Sequence, residues 1–548
     1  MIENIKITVM GEEKEVSKNT TYLELSRMYQ SNFENPIIIA KQNGSYKELR
    51  DKVTSDGNIE FCDYNDREAN RVYLNGLVYL TIYAFKDLYN GKIRVKHSID
   101  KGLYIETNIE INEEKISFLK KRMSELVTMN LPIEKINVER MDAIKYFDSI
   151  GDDSKVGLMK YNTNTYVTLY KLGNMYNFFF SCMPISTSVL KSFDFKYLNN
   201  NGFVLLFPTV YSNNKIKEYV HHPKIFEVFK DYHDWAKLMN IDNSYSLNEV
   251  VSKGNIGNLI RMDEMLQSNR LLNVAKDIYS KKDKIKIVLI AGPSSSGKTT
   301  TCNKLGMYLK SFGLVPHTIS MDDYFLKRED TPKNEDGSYD FECLEAVNLK
   351  LFDEQMKELL DGKEVVTPIY NFLLGQPEFR KKLKLGKDDI LMIEGIHGLN
   401  PKVLESISRD VKYKIYISPL TGLNLDNHNR MSTTDNRLLR RIVRDNRTRG
   451  YSVVDTIERW PTVRVGEEKY IFPYQDEADC VFNSALIYEM GVLKTYVEPL
   501  LYSVDSSSSY YNEAKRLINM LKMFLPIPSE DIPKDSLLRE FIGGSCFK

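Results

Sequence analysis

One short run of residues has the types and spacing needed to bind a polyphosphate. Residues 292–299 read GPSSSGKT and fit the pattern G-x-x-x-x-G-K-[ST] at every position. A buried strand is predicted before the run, over 285–291, and a helix after it, over 299–310. This order directs backbone N–H groups and the positive end of a helix dipole at one point. We therefore predict a nucleotide-binding loop, whose phosphate-binding set is Gly292, Pro293, Ser294, Ser295, Ser296, Gly297, Lys298, Thr299 and Thr300.

Acidic residues at the ends of two further predicted strands could complete a phosphoryl-transfer site. Lys298 is expected to reach the β- and γ-phosphates of ATP, and the Thr299 hydroxyl to ligate Mg²⁺. A short strand leads into Asp322 and Asp323, and a carboxylate there can accept a proton from an acceptor hydroxyl and contact the metal. A second buried strand ends at Glu394, the usual place for an acid that holds the metal's water shell. ATP and Mg²⁺ are therefore the predicted cofactors.

A predicted helix over 435–449 carries four arginines spaced i, i+3, i+4, i+7, which places them on one helical face. Gly450 would end the helix. Downstream of a phosphate-binding loop, such a face is typical of a lid that closes over the phosphates and excludes water. A merely solvated face is the alternative. The four residues of the predicted lid are Arg437, Arg440, Arg441 and Arg444.

The composition is that of a soluble protein with several domains. A chain of 548 residues is too long for one hydrophobic core. Lys+Arg and Asp+Glu both number 75, so the zero formal net charge argues against a strong nucleic-acid binder. The cysteines form no C-x-x-C motif, the N-terminus shows no leader pattern, and no apolar run approaches about 18 residues. We expect a cytoplasmic protein without a membrane span.

Changes of pattern along the chain predict a multidomain α/β protein with five regions. Residues 1–65 read as ββαββ, a β-grasp, and residues 66–205 as a second α+β unit. Residues 206–283 are mainly helical and act as a connector. Residues 284–485 are expected to form a mainly parallel sheet flanked by helices. Residues 486–548 form a C-terminal helical extension and tail.

Residues 284–485 resemble the uridine kinase/phosphoribulokinase group of P-loop kinases. Five segments carry the resemblance: 292–299, 320–325, 368–372, 393–396 and 437–445 followed by Arg449-Gly450. The resemblance implies ATP-dependent phosphorylation of a hydroxyl, commonly the 5′-hydroxyl of a pyrimidine nucleoside. On that pattern Asp322 is the base, with Asp323 as second choice. Thr299, Asp322 and Glu394 would serve the Mg²⁺.

The same resemblance implies an acceptor site, with two departures from the pattern. Asn348 stands near the position of a ribose-binding aspartate, and an amide can still hydrogen-bond hydroxyls. Gly375 stands where uridine kinases carry a histidine that reads the uracil. Kinase chemistry is therefore better supported than uridine as the acceptor. The predicted acceptor-site residues are Asp323, Tyr324, Asp340, Asn348, Tyr370 and Arg459.

The first 205 residues resemble two modules of threonyl-tRNA synthetases. The ββαββ order of residues 1–65 resembles that of the TGS domain. Residues 97–98 with 102–104, Met123 with 132–134, 143–147, and 169–170 with Gly173 give residues 66–205 a resemblance to the second additional (editing) domain. That family takes zinc-type ligands from an H-x-x-x-H helix and a later C-x-x-x-H motif. Here the helix over 71–79 has no histidine and only Cys182 remains of the second motif, so editing hydrolysis is not expected by that route. The whole chain resembles a bacterial group in which such modules precede a nucleoside or uridine kinase.

The favoured interpretation is therefore a small-molecule kinase acting on a nucleoside. A sugar or sugar-phosphate kinase of the same fold is the second. The third is an RNA-linked regulator, in which the N-terminal modules contact tRNA and the phosphate-binding loop is an ATP switch; affinity that falls steeply with salt would support it. An editing hydrolase is the fourth.

Overall fold

The computed structural model describes residues 4–212, 215–334 and 337–547.

The first unit is a five-stranded sheet in the order β2-β1-β5-β3-β4, packed on one helix. Thr21 begins that helix as a capping box with Glu24, since each residue accepts a backbone N–H of the other. Its elements are β1 (Asn4–Val9), β2 (Glu12–Ser17), α1 (Tyr22–Tyr29), β3 (Ile39–Gln42), β4 (Ser45–Glu48) and β5 (Gly57–Cys62).

The second unit is built around a long central helix. That helix, α2, buries residues on most of its circumference against one four-stranded and one three-stranded sheet. The sheets have the orders β11-β12-β7-β6 and β10-β9-β8. The elements are α2 (Arg67–Tyr89), β6 (Ile93–Ile99), β7 (Gly102–Thr107), α3 (Glu113–Thr128), β8 (Ile133–Glu139), α4 (Arg140–Ser149), α5 (Asp153–Lys160), β9 (Tyr166–Leu172), β10 (Met175–Asn177), β11 (Asp194–Asn199) and β12 (Gly202–Leu206).

Three helices follow: α6 (Pro223–Leu238), α7 (Ser244–Ser252) and α8 (Ile256–Ser280). They do not form an isolated linker. Their apolar faces share one hydrophobic core with helices near the C-terminus. This core includes Trp460, which is 1% exposed.

The C-terminal half contains a five-stranded sheet in which every pairing is parallel, in the order β14-β17-β13-β18-β19. The central strand reads IVLIA and is buried at every residue, as expected when helices cover both faces. The elements to the last strand are β13 (Ile287–Ala291), α9 (Lys298–Ser311), β14 (Val315–Ser320), α10 (Leu349–Leu360), β15 (Val365–Asn371), β16 (Gln376–Leu383), β17 (Asp389–Glu394), β18 (Lys412–Ser418), α11 (Thr433–Arg449), α12 (Val453–Tyr470) and β19 (Cys480–Asn483).

The chain ends in three helices that pack on α11 and on the core shared with α6–α8. They are α13 (Glu489–Tyr502), α14 (Tyr511–Leu521) and α15 (Arg539–Ile542). Among the described residues, no helix is both long and apolar enough to cross a membrane. The protein thus has the predicted mixed α/β class, with a parallel sheet flanked by helices in the C-terminal half.

Candidate active site

The phosphate-binding loop joins the carboxyl end of β13 to the first turn of α9. A Cβ on Gly292 would lie 2.0 Å from the carbonyl oxygen of Ile417, so only glycine fits there. Gly297, the residue before α9, has φ of 86°, a left-handed conformation that glycine adopts at no steric cost. The loop therefore turns sharply, and the N–H groups of the first turn of α9 face the end of the sheet.

Lys298 lies across this loop. Its Nζ donates to the carbonyl oxygens of Gly292, at 3.0 Å, and Pro293, at 3.3 Å. Burial lowers the pKa of Lys298, while the carboxylates of Glu394 and Asp322 act in the opposite direction. The ammonium group is thus held at the loop and paired electrostatically with the two acids that the sequence singled out.

Glu394 and Thr299 meet beside the loop because β17 pairs in parallel with β13. The Thr299 hydroxyl donates to Glu394 Oε1 at 3.3 Å. Burial raises the pKa of Glu394 to about 7, although Lys298 lowers it. Glu394 Oε2 is buried and has no hydrogen-bond partner among the described residues. A hydroxyl beside an unpartnered carboxylate oxygen fits the oxygen ligands that Mg²⁺ prefers.

Asp322 and Asp323 follow β14 in a single 3₁₀ turn, Met321–Tyr324. Asp322 is exposed to solvent at the edge of the sheet, yet nearby protein atoms desolvate its carboxylate and raise its pKa, against the effect of Lys298. Asp323 faces another way, since its Oδ1 accepts the N–H of Tyr370 at 3.1 Å. Of the two acids, Asp322 is therefore the one near Lys298 whose carboxylate has no hydrogen-bond partner among the described residues.

Two of the four arginines on α11 contact the phosphate-binding loop. Arg437 Nε donates to the carbonyl oxygen of Ser294 at 2.8 Å, and its NH1 and NH2 both pair with Glu467. Arg441 donates to the Ser294 hydroxyl at 2.9 Å. Glu467 Oε1 also accepts the N–H of Ser294 at 3.3 Å, so a buried Arg–Glu pair fixes this turn of the loop.

The predicted lid must be corrected for the other two arginines. Arg440 is fully buried, and its guanidinium binds Glu489 and the carbonyl oxygen of Ser484 at 2.5–2.8 Å. Arg444 pairs with its neighbour Asp445 at 2.8 Å. The spacing correctly placed the arginines on one face, but α11 packs into the core, so most of that face serves ion pairs inside the protein.

The predicted acceptor residues are scattered over different environments. Asn348 caps α10, because its Oδ1 accepts the N–H of Leu351 at 3.2 Å. The Tyr324 hydroxyl is buried against Gln355, and Arg459 is exposed with its guanidinium over the Tyr451 ring. Asn348 Oδ1 and the Tyr324 hydroxyl are thus engaged within the protein in this conformation, and the assignment of the three residues to an acceptor site stays a prediction.

Asp340 and Tyr370 were also predicted to line the acceptor site. Asp340 Oδ1 accepts two backbone N–H groups, while its Oδ2 is 3.5 Å from the Tyr470 hydroxyl. The Tyr370 hydroxyl is buried without a hydrogen-bond partner among the described residues. Gly375 has φ of 68° and lies against Arg328, whose NH2 donates to the carbonyl oxygen of Phe372.

Three functional candidates were missed from the sequence. Glu342 is close enough to Lys298 and Asp322 for their charges to influence its pKa, which burial raises. His397 follows β17, and burial lowers its pKa to about 4; neither ring nitrogen has a partner of hydrogen-bonding geometry among the described residues. Its position three residues after Glu394 was an available signal. Glu540, near the C-terminus, contacts Thr300 beside the loop, and no signal in the sequence indicated this contact.

Comparison with known proteins agrees with this arrangement. Residues 287–487 match the sequence profile of the Phosphoribulokinase / Uridine kinase family. This match lies in the C-terminal half of the chain and covers less than half of its length. The matched residues include the parallel sheet and the loop that carries Lys298 and Thr299 at the start of α9.

Individual relatives match separate parts of the chain. The uridine kinase of Borrelia duttonii is 28% identical over 228 residues, which are 39% of this chain and 97% of that protein. A possible uridine kinase structure from Bacillus stearothermophilus covers 39% of this chain and 98% of its own, with 20% identity and a TM-score of 0.27.

The N-terminal region matches threonine–tRNA ligases. That of Oceanobacillus iheyensis is 29% identical over 196 residues, which are 35% of this chain and 30% of the ligase. The chain thus spans only about a third of the length of these ligases.

Proposed function

We propose that this protein is an ATP-dependent kinase that phosphorylates the 5′-hydroxyl of a nucleoside. One observation carries the proposal. The loop lysine Lys298, the Thr299–Glu394 pair and the free carboxylate of Asp322 converge at the carboxyl edge of three adjacent parallel strands. Phosphoryl transfer depends mainly on positioning and on electrostatic stabilisation, and these groups supply both.

Each group has a distinct role in the proposed reaction. The N–H groups at the start of α9 and the Lys298 ammonium bind the phosphates of ATP and stabilise charge on the transferred group. Asp322 accepts the proton of the attacking hydroxyl; its raised pKa makes it a better base than an ordinary aspartate. Thr299 and Glu394 would hold Mg²⁺, which supplies charge neutralisation between the phosphates when bound.

A nucleoside acceptor is supported by the similarity to a uridine kinase along nearly its whole length. Tyr370 and Asp340 have polar atoms available on the acceptor side, and His397 is buried nearby with its ring 6.0 Å from that of Tyr470. A neutral imidazole can both donate and accept a hydrogen bond, which suits a base edge or a sugar hydroxyl. In this proposal Tyr370, Asp340 and His397 make the contacts to the base and the ribose that the changes at Gly375 and Asn348 would remove.

The proposal is tested by ADP release from ATP–Mg²⁺ in the presence of single nucleosides, sugars and sugar phosphates. We expect one nucleoside to stimulate ADP release far above the rate without acceptor and to yield the 5′-monophosphate. His397→Ala should raise KM for that nucleoside more than KM for ATP. Stimulation by a sugar but by no nucleoside would contradict the acceptor class while leaving kinase chemistry intact.

A second candidate, contact with tRNA, is favoured by the similarity of the N-terminal region to threonine–tRNA ligases. The same assay with added tRNA tests it. ADP release that responds to tRNA and to no small molecule would favour an RNA-linked ATP switch over the kinase.

A further inference from the structure

A cavity of about 330 Å³ lies where the second N-terminal unit meets the kinase region. One wall comes from α2, β6 and β7, and the other from residues 425–435, α12 and α14. It is separate from the phosphate-binding loop and uses none of the acceptor residues. We refer to it as the interface cavity.

Among the described residues, the lining of the interface cavity includes five arginines and one carboxylate, Asp435. Both oxygens of Asp435 already accept hydrogen bonds from Arg516, at 2.6 and 3.1 Å. Arg71 pairs with Glu68 and Glu513 outside the cavity, and Arg464 pairs with two glutamates of its own helix. The carboxylates that surround the cavity are therefore already engaged. The five arginines are Arg67, Arg71, Arg430, Arg464 and Arg516.

Two of these arginines have no ion-pair partner among the described residues. The side chains of Arg67 and Arg430 form no hydrogen bond or ion pair with any other residue that the structure describes. Burial lowers the pKa of both, that of Arg430 to about 10, because too little negative charge lies nearby to offset desolvation. A partly buried guanidinium without a counter-charge is costly, and an anion in the cavity would remove that cost.

The remaining wall is apolar and includes Leu74, Val78, Leu103, Phe180 and Phe207. A volume of this size with an apolar wall and a few convergent polar groups is typical of small-molecule sites, which begin at about 300 Å³. We propose that the interface cavity binds a small organic anion, with its phosphate or carboxylate group between Arg67 and Arg430 and its body against the apolar wall.

The interface cavity is joined to the phosphate-binding loop by a short chain of contacts. Arg464, a cavity residue, donates to Glu467 at 2.7 Å. Glu467 accepts from the N–H of Ser294 in the loop and pairs with Arg437. An anion that draws Arg464 towards the cavity weakens its bond to Glu467. Because linkage is reciprocal, occupancy of the cavity and of the nucleotide site then alter each other's affinity.

Calorimetric titration with uridine 5′-monophosphate, citrate and inorganic phosphate tests this site in a Lys298→Ala background, which weakens phosphate binding at the loop. Uridine 5′-monophosphate bound at the acceptor site instead would not respond to the cavity variants. We expect at least one organic probe to bind and its Kd to rise by about tenfold or more in Arg67→Gln and Arg430→Gln, through the loss of a charge-assisted hydrogen bond. Binding of the nucleotide alone would indicate a phosphate ligand, and binding of citrate alone a carboxylate. The exposed Arg27→Gln is the matched control.

A second readout separates a ligand site from a structural role. Because the side chains of Arg67 and Arg430 pair with no other described residue, their glutamine variants should melt at a temperature no lower than that of Arg27→Gln. If the two arginines had a structural role, their variants would melt at a lower temperature. The proposal is overturned if none of the probes binds, if binding is indifferent to both cavity variants, or if only tRNA binding responds to them.

A different observation, at the phosphate-binding loop, carries a second inference that rests on the proposed nucleotide site. Glu540, in α15 near the C-terminus, reaches the first turn of α9. Its Oε2 accepts the N–H of Thr300 at 3.2 Å and the Thr300 hydroxyl at 2.8 Å. Its charge also acts on Lys298 and Glu394. A carboxylate thus takes donors of the kind that hold phosphate at a helix N-terminus.

The segment that carries Glu540 is fixed to the kinase fold. Arg447, on α11, donates to the carbonyl oxygens of Glu540 and Phe541 at 2.9 and 3.0 Å. The Phe541 side chain is fully buried, with the Arg440 guanidinium 5.0 Å from its ring centre. We infer that Glu540 is a built-in competitor of nucleotide phosphate, so that ATP binding requires its side chain to leave Thr300.

Direct ADP and ATP binding tests this inference without relying on turnover. Glu540→Gln keeps the size of the side chain and removes its charge, and we expect it to tighten nucleotide binding by about three- to tenfold. Glu530→Gln, an exposed residue of the same tail, should leave affinity unchanged. Affinity that is unchanged or weaker in Glu540→Gln overturns the inference. If wild type and variant bind no nucleotide at all, the proposed nucleotide site itself fails.

Discussion

Replacing Asp322 with asparagine is expected to lower kcat for phosphoryl transfer by about 10²- to 10⁴-fold, the usual contribution of a general base. The amide keeps the size of the side chain but cannot accept the proton of the acceptor hydroxyl. Because the phosphate-binding contacts come from Lys298 and the first turn of α9, Kd for ATP should change little. The comparison is of kcat and of ATP binding by calorimetry in the same preparations.

The pH dependence gives the same prediction a second readout. Burial raises the pKa of Asp322, and a base must be ionised, so kcat/KM should rise with pH through a midpoint above that of an ordinary aspartate. The remaining activity of Asp322→Asn should lack this rise. Asp323→Asn is the matched control, since Asp323 contacts the backbone of Tyr370. Full kcat in Asp322→Asn would remove Asp322 from the reaction.

The central part of this site could be predicted because its signals are local or lie at strand ends. The spacing of the glycines, Lys298 and Thr299 is enough to define the loop. Glu394 could be predicted because an acid at the carboxyl end of a buried strand that neighbours the loop strand must lie close to the loop. Its pairing with Thr299 at 3.3 Å follows from the parallel alignment of β17 with β13.

The surroundings of the loop could not be predicted, since they depend on contacts between distant segments. The spacing of the arginines on α11 predicts a shared face but not whether that face meets solvent or another helix. Arg437 pairs with Glu467 and Arg440 pairs with Glu489, and both glutamates lie on other helices. Glu540 is 240 residues from Thr300. Asn348 was predicted to contact a ribose, and its role as the cap of α10 was not predicted.

The burial of Arg440 leads to the second large expected effect, on stability. Glu489→Ala should lower the free energy of unfolding by about 3–5 kcal/mol, because it leaves the guanidinium buried without its counter-charge. The lost contacts are the pair at 2.5–2.8 Å, the bond from Asn436 Nδ2 to Glu489 Oε1 at 2.7 Å and the bond from the Leu486 N–H to the same oxygen at 3.3 Å. Urea and thermal unfolding, followed by circular dichroism, measure the change.

Two further variants decide whether the buried charge is the cause. Glu249→Ala removes the same atoms from an exposed pair with Lys253, and such pairs contribute at most about 1 kcal/mol. The double variant Arg440→Met/Glu489→Leu removes both charges, so it should recover most of the stability lost in Glu489→Ala. If Glu489→Ala unfolds no earlier than Glu249→Ala, Arg440 does not depend on Glu489. That arginine would then be free to move towards the phosphates, as its spacing on α11 first indicated.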